Sequence, residues 1–277
     1  MFPLDTIEKI HDHIIFTLRN YFSGASKNKA IIGLSGGIDS AVVASLAVRA
    51  FGKDSVTGVL MPSPYSTLHS VNDAVELAEN LGIKFHISPI DKILSEYLHE
   101  ISKHFEEEPH RLTVENLQAR IRSVILMSFS NQLDALLLNT TNKSELAMGY
   151  GTMYGDLSGA IMPVADLYKR DIYELANYIN VDNQIIPDST LTKAPSAELS
   201  PGQKDSDSIP EYSLLDPILY SLIEEGEDPH KLISKGVDKD LMEKILSLMK
   251  GASFKVHQLP QIIRLNKNPL LPKNKWL

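Results

Sequence analysis

Six residues, Ser35-Gly36-Gly37-Ile38-Asp39-Ser40, combine two glycines, two hydroxyls and one carboxylate. They lie between a short apolar run, Ala30 to Leu34, and a segment rich in Ala, Val and Leu. A strand that turns directly into a helix presents backbone N–H groups and the positive end of the helix dipole, and the pair favours phosphate. Glycine lets the backbone come close and take positive φ. Ser35 and Ser40 add hydroxyl donors, and Gly33 and Leu34 lead into the turn. Asp39 repels phosphate unless a divalent cation bridges the two, so the pattern points to a metal-bound nucleotide. The plainer alternative is a tight turn with a capping Asp. No Gly-Lys-Ser/Thr follows and G-x-G-x-x-G is missing, so neither the Walker loop nor the dinucleotide fingerprint fits.

The surrounding pattern must hold this turn in place. Ile7, Ile10, Ile14, Leu18 and Tyr21 recur at helical spacing, with Asp5 or Thr6 as N-cap. Strands are expected at 30–34, 56–61, 83–87, 135–138 and 161–164. Helices are expected at 40–51, 68–80, 92–105, 113–130 and 171–179. Strand and helix alternate through residues 30–180, which predicts an α/β fold: a doubly wound parallel sheet with helices on both faces. Such sheets bind ligands beyond the carboxyl ends of their strands, where the strand order switches. Residues 182–210 hold four prolines among Ser, Asp and Lys, and no long periodic segment fits there. Helices return at 212–224 and 239–250.

A second group follows the strand at 135–138. It runs Asn139-Thr140-Thr141-Asn142-Lys143-Ser144-Glu145, then Gly149-Tyr150-Gly151-Thr152-Met153-Tyr154-Gly155-Asp156. Pro163, Leu167-Tyr168-Lys169, Lys193 to Leu199 and Gln203-Lys204-Asp205 come later. The first turn resembles the pyrophosphate loop of the N-type ATP pyrophosphatases, which have the adenine nucleotide alpha hydrolase-like fold. The ordered set as a whole, from about Tyr21 to Pro260, resembles the NAD synthetases, most of all the synthetase half of the glutamine-dependent enzymes.

That resemblance implies ATP-dependent amidation of deamido-NAD through an acyl-adenylate, giving NAD, AMP and pyrophosphate. It implies Mg2+ on Asp39 and Glu145, with Lys169, Thr140 and Ser196 on ATP. It implies deamido-NAD contacts from Arg120, Tyr21, Asp156, Phe254 and Lys255. Each residue also has a structural reading. Glu145 suits a helix entry, Lys169 a solvated helix start, Thr140 a strand-end hydroxyl, Ser196 a loop, Arg120 a surface and Tyr21 a core. Arg122, two residues beyond Arg120, points to another helix face. Many ammonia-dependent bacterial relatives carry lysine where Met153 stands and aspartate where Ala160 stands, so substrate contacts there must be made otherwise. His99 and His104 are five apart and do not share a helix face as H-E-x-x-H requires.

Composition limits the rest. The chain has 277 residues, expected to form one synthetase domain, and 35 acidic against 27 basic side chains give a net charge of −8. That balance disfavours undirected binding to nucleic acid or anionic membranes. The chain contains no cysteine, which excludes disulfides, thiolate metal sites and a thiol nucleophile. Glutamine-dependent relatives use such a thiol in a fused glutaminase domain, so ammonia is the expected nitrogen donor, free or handed over by a separate protein. No leader pattern or membrane-length apolar run is evident, and a cytoplasmic enzyme is expected. The family resemblance adds a homodimer. The 182–210 segment is expected to be a mobile lid over the adenylate. Two other functions compete: another pyrophosphatase such as a tRNA-modifying enzyme, and a nucleotide-binding regulator without catalysis. The net charge of −8, the absence of cysteine and the second motif argue against the first, and the intact Asp39 and Glu145 argue against the second.

Overall fold

The computed structural model describes residues 6–268 and 270. Six strands are numbered along the chain: β1 (Ala30–Gly33), β2 (Val56–Leu60), β3 (Lys84–Ile87), β4 (Leu136–Leu137), β5 (Ile161–Met162) and β6 (Gln261–Ile262). The first four form a parallel sheet in the order β3-β2-β1-β4. A parallel pair, β5 and β6, continues it through a bridge between Leu138 and Ile161. The order therefore reverses between β1 and β4, which is the switch point the alternation predicts.

Helices cover both faces. They are α1 (Ile7–Gly24), α2 (Ile38–Phe51), α3 (Leu68–Leu81), α4 (Asp91–Ser102), α5 (Arg111–Leu133), α6 (Lys143–Met148), α7 (Lys169–Ile179), α8 (Asp188–Thr192), α9 (Tyr212–Ile223), α10 (Pro229–Ser234) and α11 (Lys239–Val256). Side chains of a strand alternate between faces. Ile32 accordingly packs with Leu18, Val42, Leu46, Leu77 and Ile172 of α1, α2, α3 and α7. Its neighbour Ile31 packs with Val59, Leu94, Ile121 and Leu137 on the α4–α5 side. Helix α2 is apolar almost all round because it is covered almost all round. A further cluster, with Tyr168, Leu219, Met242 and Ile245 at its centre, seats α9 and α11 against α6.

Most expected elements are present with ends shifted by one to three residues. Thr6 caps α1 through its side chain, and Asp5, the other expected cap, lies outside the described residues. Helix α7 begins at Lys169 rather than 171, because Asp171 serves as the third residue of a capping arrangement. Helix α10 and strand β6 carry too few residues to show a period in the sequence. Segment 182–210 contains α8 and one short turn of 3-10 helix, Asp205–Asp207.

His11 of α1 is buried, accepts at Nε2 from Arg49 Nη1 (2.8 Å), and donates from Nδ1 to Asp12 Oδ1 (2.8 Å). Burial lowers its pKa from 6.5, with Arg49 adding to the effect against the pull of Asp12. Below pH 6.5 the unfolded chain takes up a proton that the folded one resists, so this site weakens the fold as pH falls. Urea unfolding between pH 7.5 and 5.5 is expected to show a smaller loss of stability in His11→Asn than in the parent protein.

Candidate active site

A cleft of about 300 Å³ opens above the carboxyl ends of β1, β2 and β4. Its floor is the 33–40 turn, and only one of the two turn glycines takes a positive φ. Gly36 has φ +78°, and a Cβ there would lie 2.1 Å from the Ser70 carbonyl oxygen of α3. Gly37 is the extended N-cap of α2, with φ −82°. The Ser35 and Ser40 hydroxyls lie 3.1 Å apart, Ser35 Oγ accepts from Gly37 N, and Ser40 Oγ donates to the Gly37 carbonyl. The turn is thus held by its own hydroxyls. Gly36→Ala adds both strain and overlap. It is expected to abolish nucleotide binding, checked by calorimetry with ATP, while a Gly37→Ala protein retains its fold.

Asp39 sits in the first turn of α2. Its Oδ1 accepts from Asn142 Nδ2 at 2.8 Å and its Oδ2 from Lys169 Nζ at 2.6 Å. Asn142 also caps α6: its side chain accepts from Glu145 N, and Glu145 Oε2 accepts from Asn142 N. Glu145 therefore does what a helix-entry carboxylate does with one oxygen. The other lies 3.4 Å from Lys169 Nζ. Lys169 opens α7, and its own N–H is satisfied from outside the helix by Ser144 Oγ at 3.0 Å. Ser144 is held in turn by Asp216 of α9, which also accepts from Arg170 N. These remote caps fix a lysine that is nearly inaccessible to solvent.

One lysine thus faces two carboxylates, and a third, Asp205, stands nearby. Burial, and after it the charge of Asp39, push the Glu145 carboxyl up to about 8. Burial alone would lower Lys169, but Asp39 and Glu145 outweigh it and hold the amine protonated. The Lys169 Nζ also lies 5.1 Å from the ring centroid of Tyr212. Tyr212 donates to Asp205 Oδ2 at 2.9 Å, while Asp205 Oδ1 is buried with no hydrogen-bond partner among the described residues. Three carboxyl groups thus stand against one ammonium, and a further cation would favour the ionised form that burial resists. Among the described residues no three acidic or histidine groups converge on one point. A cation here would take two carboxylates and draw its other ligands from water and phosphate, the donor set that suits Mg2+.

Thr140, Asp156 and Ser196 also line the cleft. Ser196 Oγ donates to the Gln203 carbonyl and accepts from Glu198 N, so it shapes its own loop. Four expected substrate contacts stand away from the cleft. Arg120 is exposed and donates to the Met153 carbonyl at 3.3 Å. Tyr21 donates to the Ala160 carbonyl at 2.8 Å. Lys255 donates to the Gly149 and Gly151 carbonyls, and Phe254 is exposed beside it. Asn142, Ser144, Tyr212 and Arg122 are site residues that no role was read for in the sequence. Ala119, Arg122, Ser123 and Leu126 of α5 share one helix face and line the cleft together, a spacing legible in the sequence once the helix is placed.

Segment 193–199 forms one wall. Lys193 Nζ contacts Asp73 at 2.8 Å and Ser70 Oγ at 3.0 Å. Glu198 accepts from Thr67 and Ser70 at the start of α3. Gln118 of α5 donates to the Leu199 carbonyl at 2.8 Å.

The family model for NAD synthase matches residues 10–259. A glutamine-dependent NAD(+) synthetase of Synechocystis sp. is 44% identical over 92% of this chain and 46% of its own length. The chain spans about half the length of the curated relatives it matches. Among solved structures, an NH3-dependent NAD synthetase of Campylobacter jejuni is similar with TM-score 0.74 and 30% identity, covering 94% of this chain and all of that one. An NMN synthetase of Francisella tularensis is similar with TM-score 0.76 and 29% identity, covering 97% and 99%. With the phosphate turn, the carboxylates and the lysine in one cleft at the sheet's switch point, the chain belongs to the NAD synthase family.

Proposed function

We propose that this chain amidates deamido-NAD with ammonia at the expense of ATP. The observation that carries the reading is the convergence of Asp39, Glu145 and Lys169 beside the Ser35–Ser40 turn. A nicotinate carboxylate oxygen forms a bond to the α-phosphorus of ATP, and the bond from that phosphorus to the bridging oxygen breaks, releasing pyrophosphate. Ammonia then adds to the acyl carbon, AMP leaves with the electron pair, and one proton is lost. The turn N–H groups, Ser35 and Ser40 hold phosphate oxygens. Lys169, kept protonated, neutralises charge that develops as pyrophosphate departs. Asp39 and Glu145 would hold Mg2+, which supplies further charge stabilisation on the same oxygens. Segment 182–210 acts as a lid that excludes water from the adenylate. Ammonia is the donor that this chain's own residues could use directly, since none of the 277 carries a thiol. A homodimer is part of the same reading, and the exposed Tyr97, Val124 and Met127 of α4 and α5 offer it an apolar surface.

The test is NAD formation from deamido-NAD and ATP, with ammonium or glutamine as nitrogen donor. Product with ammonium, equimolar pyrophosphate and little product with glutamine are expected. Faster turnover with glutamine by the purified chain overturns the donor assignment. Preference for nicotinate mononucleotide over deamido-NAD overturns the substrate assignment. Nucleotide binding without turnover points to the regulator instead.

A further inference from the structure

Three cations line the cleft: Lys169, Lys193 and Arg122. Lys169 is paired with Asp39 and Lys193 with Asp73. Arg122 makes no ion pair among the described residues. Its Nε donates to the Met61 carbonyl just past the end of β2, at 3.0 Å. That bond fixes one edge of the planar guanidinium, and the Nη donors have no hydrogen-bond partner among the described residues. Burial lowers its pKa to about 10, more than the charges of Asp156 and Glu198 raise it. A half-buried arginine on the wall of the cleft, in no ion pair among the described residues, is placed to receive an oxyanion.

Its place in the sheet says which one. Asp39 and Glu145 follow β1 and β4, whereas Arg122 is pinned to the end of β2, on the other side of β1. Neighbouring strands lie about 4.8 Å apart, so the two groups are separated by roughly two strand spacings. A triphosphate with its terminal phosphates at Lys169 and the carboxylates runs from β4 across the turn toward β2. The phosphoryl group that remains with the nucleoside then falls on the Arg122 side. We propose that Arg122 binds the α-phosphoryl oxygens of the adenine nucleotide, holding AMP and the adenylate after pyrophosphate has left. This rests on the ATP-dependent reading above.

The test is equilibrium binding of AMP, adenosine and deamido-NAD to the full chain and to Arg122→Met. The expected result is that AMP binding weakens about tenfold or more, that adenosine binding is unchanged, and that deamido-NAD binding is unchanged. Arg122→Lys is expected to recover part of the AMP affinity, because the charge returns without the fork. Should Arg122→Met melt early, Arg122→Gln and Arg122→Lys are compared instead, and equal AMP affinity in those two overturns the charge role. Unchanged AMP affinity in Arg122→Met overturns the proposal. So does an equal loss for AMP and adenosine, which marks a contact to the nucleoside. Loss confined to deamido-NAD overturns it as well and moves the arginine to the nicotinate carboxylate. A chain that binds AMP through Arg122 yet forms no NAD overturns the amidation reading and leaves this assignment standing.

Discussion

Asp39→Asn is expected to lower turnover by about 10²–10³-fold, the effect of losing one preorganised electrostatic element around a reacting phosphate. The side chain is isosteric, and the Asn142 contact at Oδ1 can be kept by an amide oxygen. The Lys169 contact at Oδ2 becomes a meeting of two donors. The variant therefore loses the carboxylate that cancels Lys169 and that would hold Mg2+, while the hydrophobic packing of α2 is untouched. Pyrophosphate release with deamido-NAD and ammonium measures the loss, and a thermal melt close to that of the parent shows the fold intact. Near-normal turnover removes Asp39 from the phosphate chemistry. Raising Mg2+ is expected to recover only part of the rate, since Glu145 remains.

Lys143→Met is expected to destabilise the protein by about 3–5 kcal/mol, the range for removing one member of a buried ionic group. Lys143 is fully inaccessible to solvent, and its Nζ meets Asp166 at 2.6 Å, Glu224 and the Asn268 carbonyl at 3.2 Å. Methionine matches the length but leaves two carboxylates facing each other without a cation. Asp166 also accepts from the N–H groups of Leu265 and Asn266, and Glu224 from that of Asn268. The substitution therefore loosens the 265–268 segment along with α6. Urea unfolding checks the magnitude, and hydrogen exchange at residues 265–268 checks the place. A change under about 1 kcal/mol shows that the pair of carboxylates is neutralised by protonation at little cost.

The two motifs differed in how much of their role could be read. The first turn was legible because its chemistry is local: glycine, hydroxyl and helix start are consecutive in sequence. Even there, the reason for Gly36 lies in the Ser70 carbonyl, 34 residues away, by the numbering 70 − 36. The run Asn139 to Glu145 was recognisable as a set, but most of its members work on architecture. Asn139 donates to the Asp156 and Ser158 carbonyls, Asn142 caps α6 and steers Asp39, Lys143 anchors a distant segment, and Ser144 caps α7. Apart from the α6 cap, those partners are 17 to 125 residues away, and no periodicity announces them. Strands β4, β5 and β6 are two residues long each, so their pairing rests on neighbours rather than on propensity. Arg122 points away from Arg120 on its helix, and the sheet places that other face in the cleft.

Ser70 touches both sides of the cleft. Its carbonyl leaves no room for a side chain at Gly36, and its hydroxyl donates to Glu198 at 2.7 Å and meets Lys193 at 3.0 Å. The phosphate floor and the 193–199 wall are therefore mechanically geared through a single turn of α3. A ligand that draws the wall inward pulls on the same turn that sets the floor, so grip on the nucleotide and access to it are adjusted together.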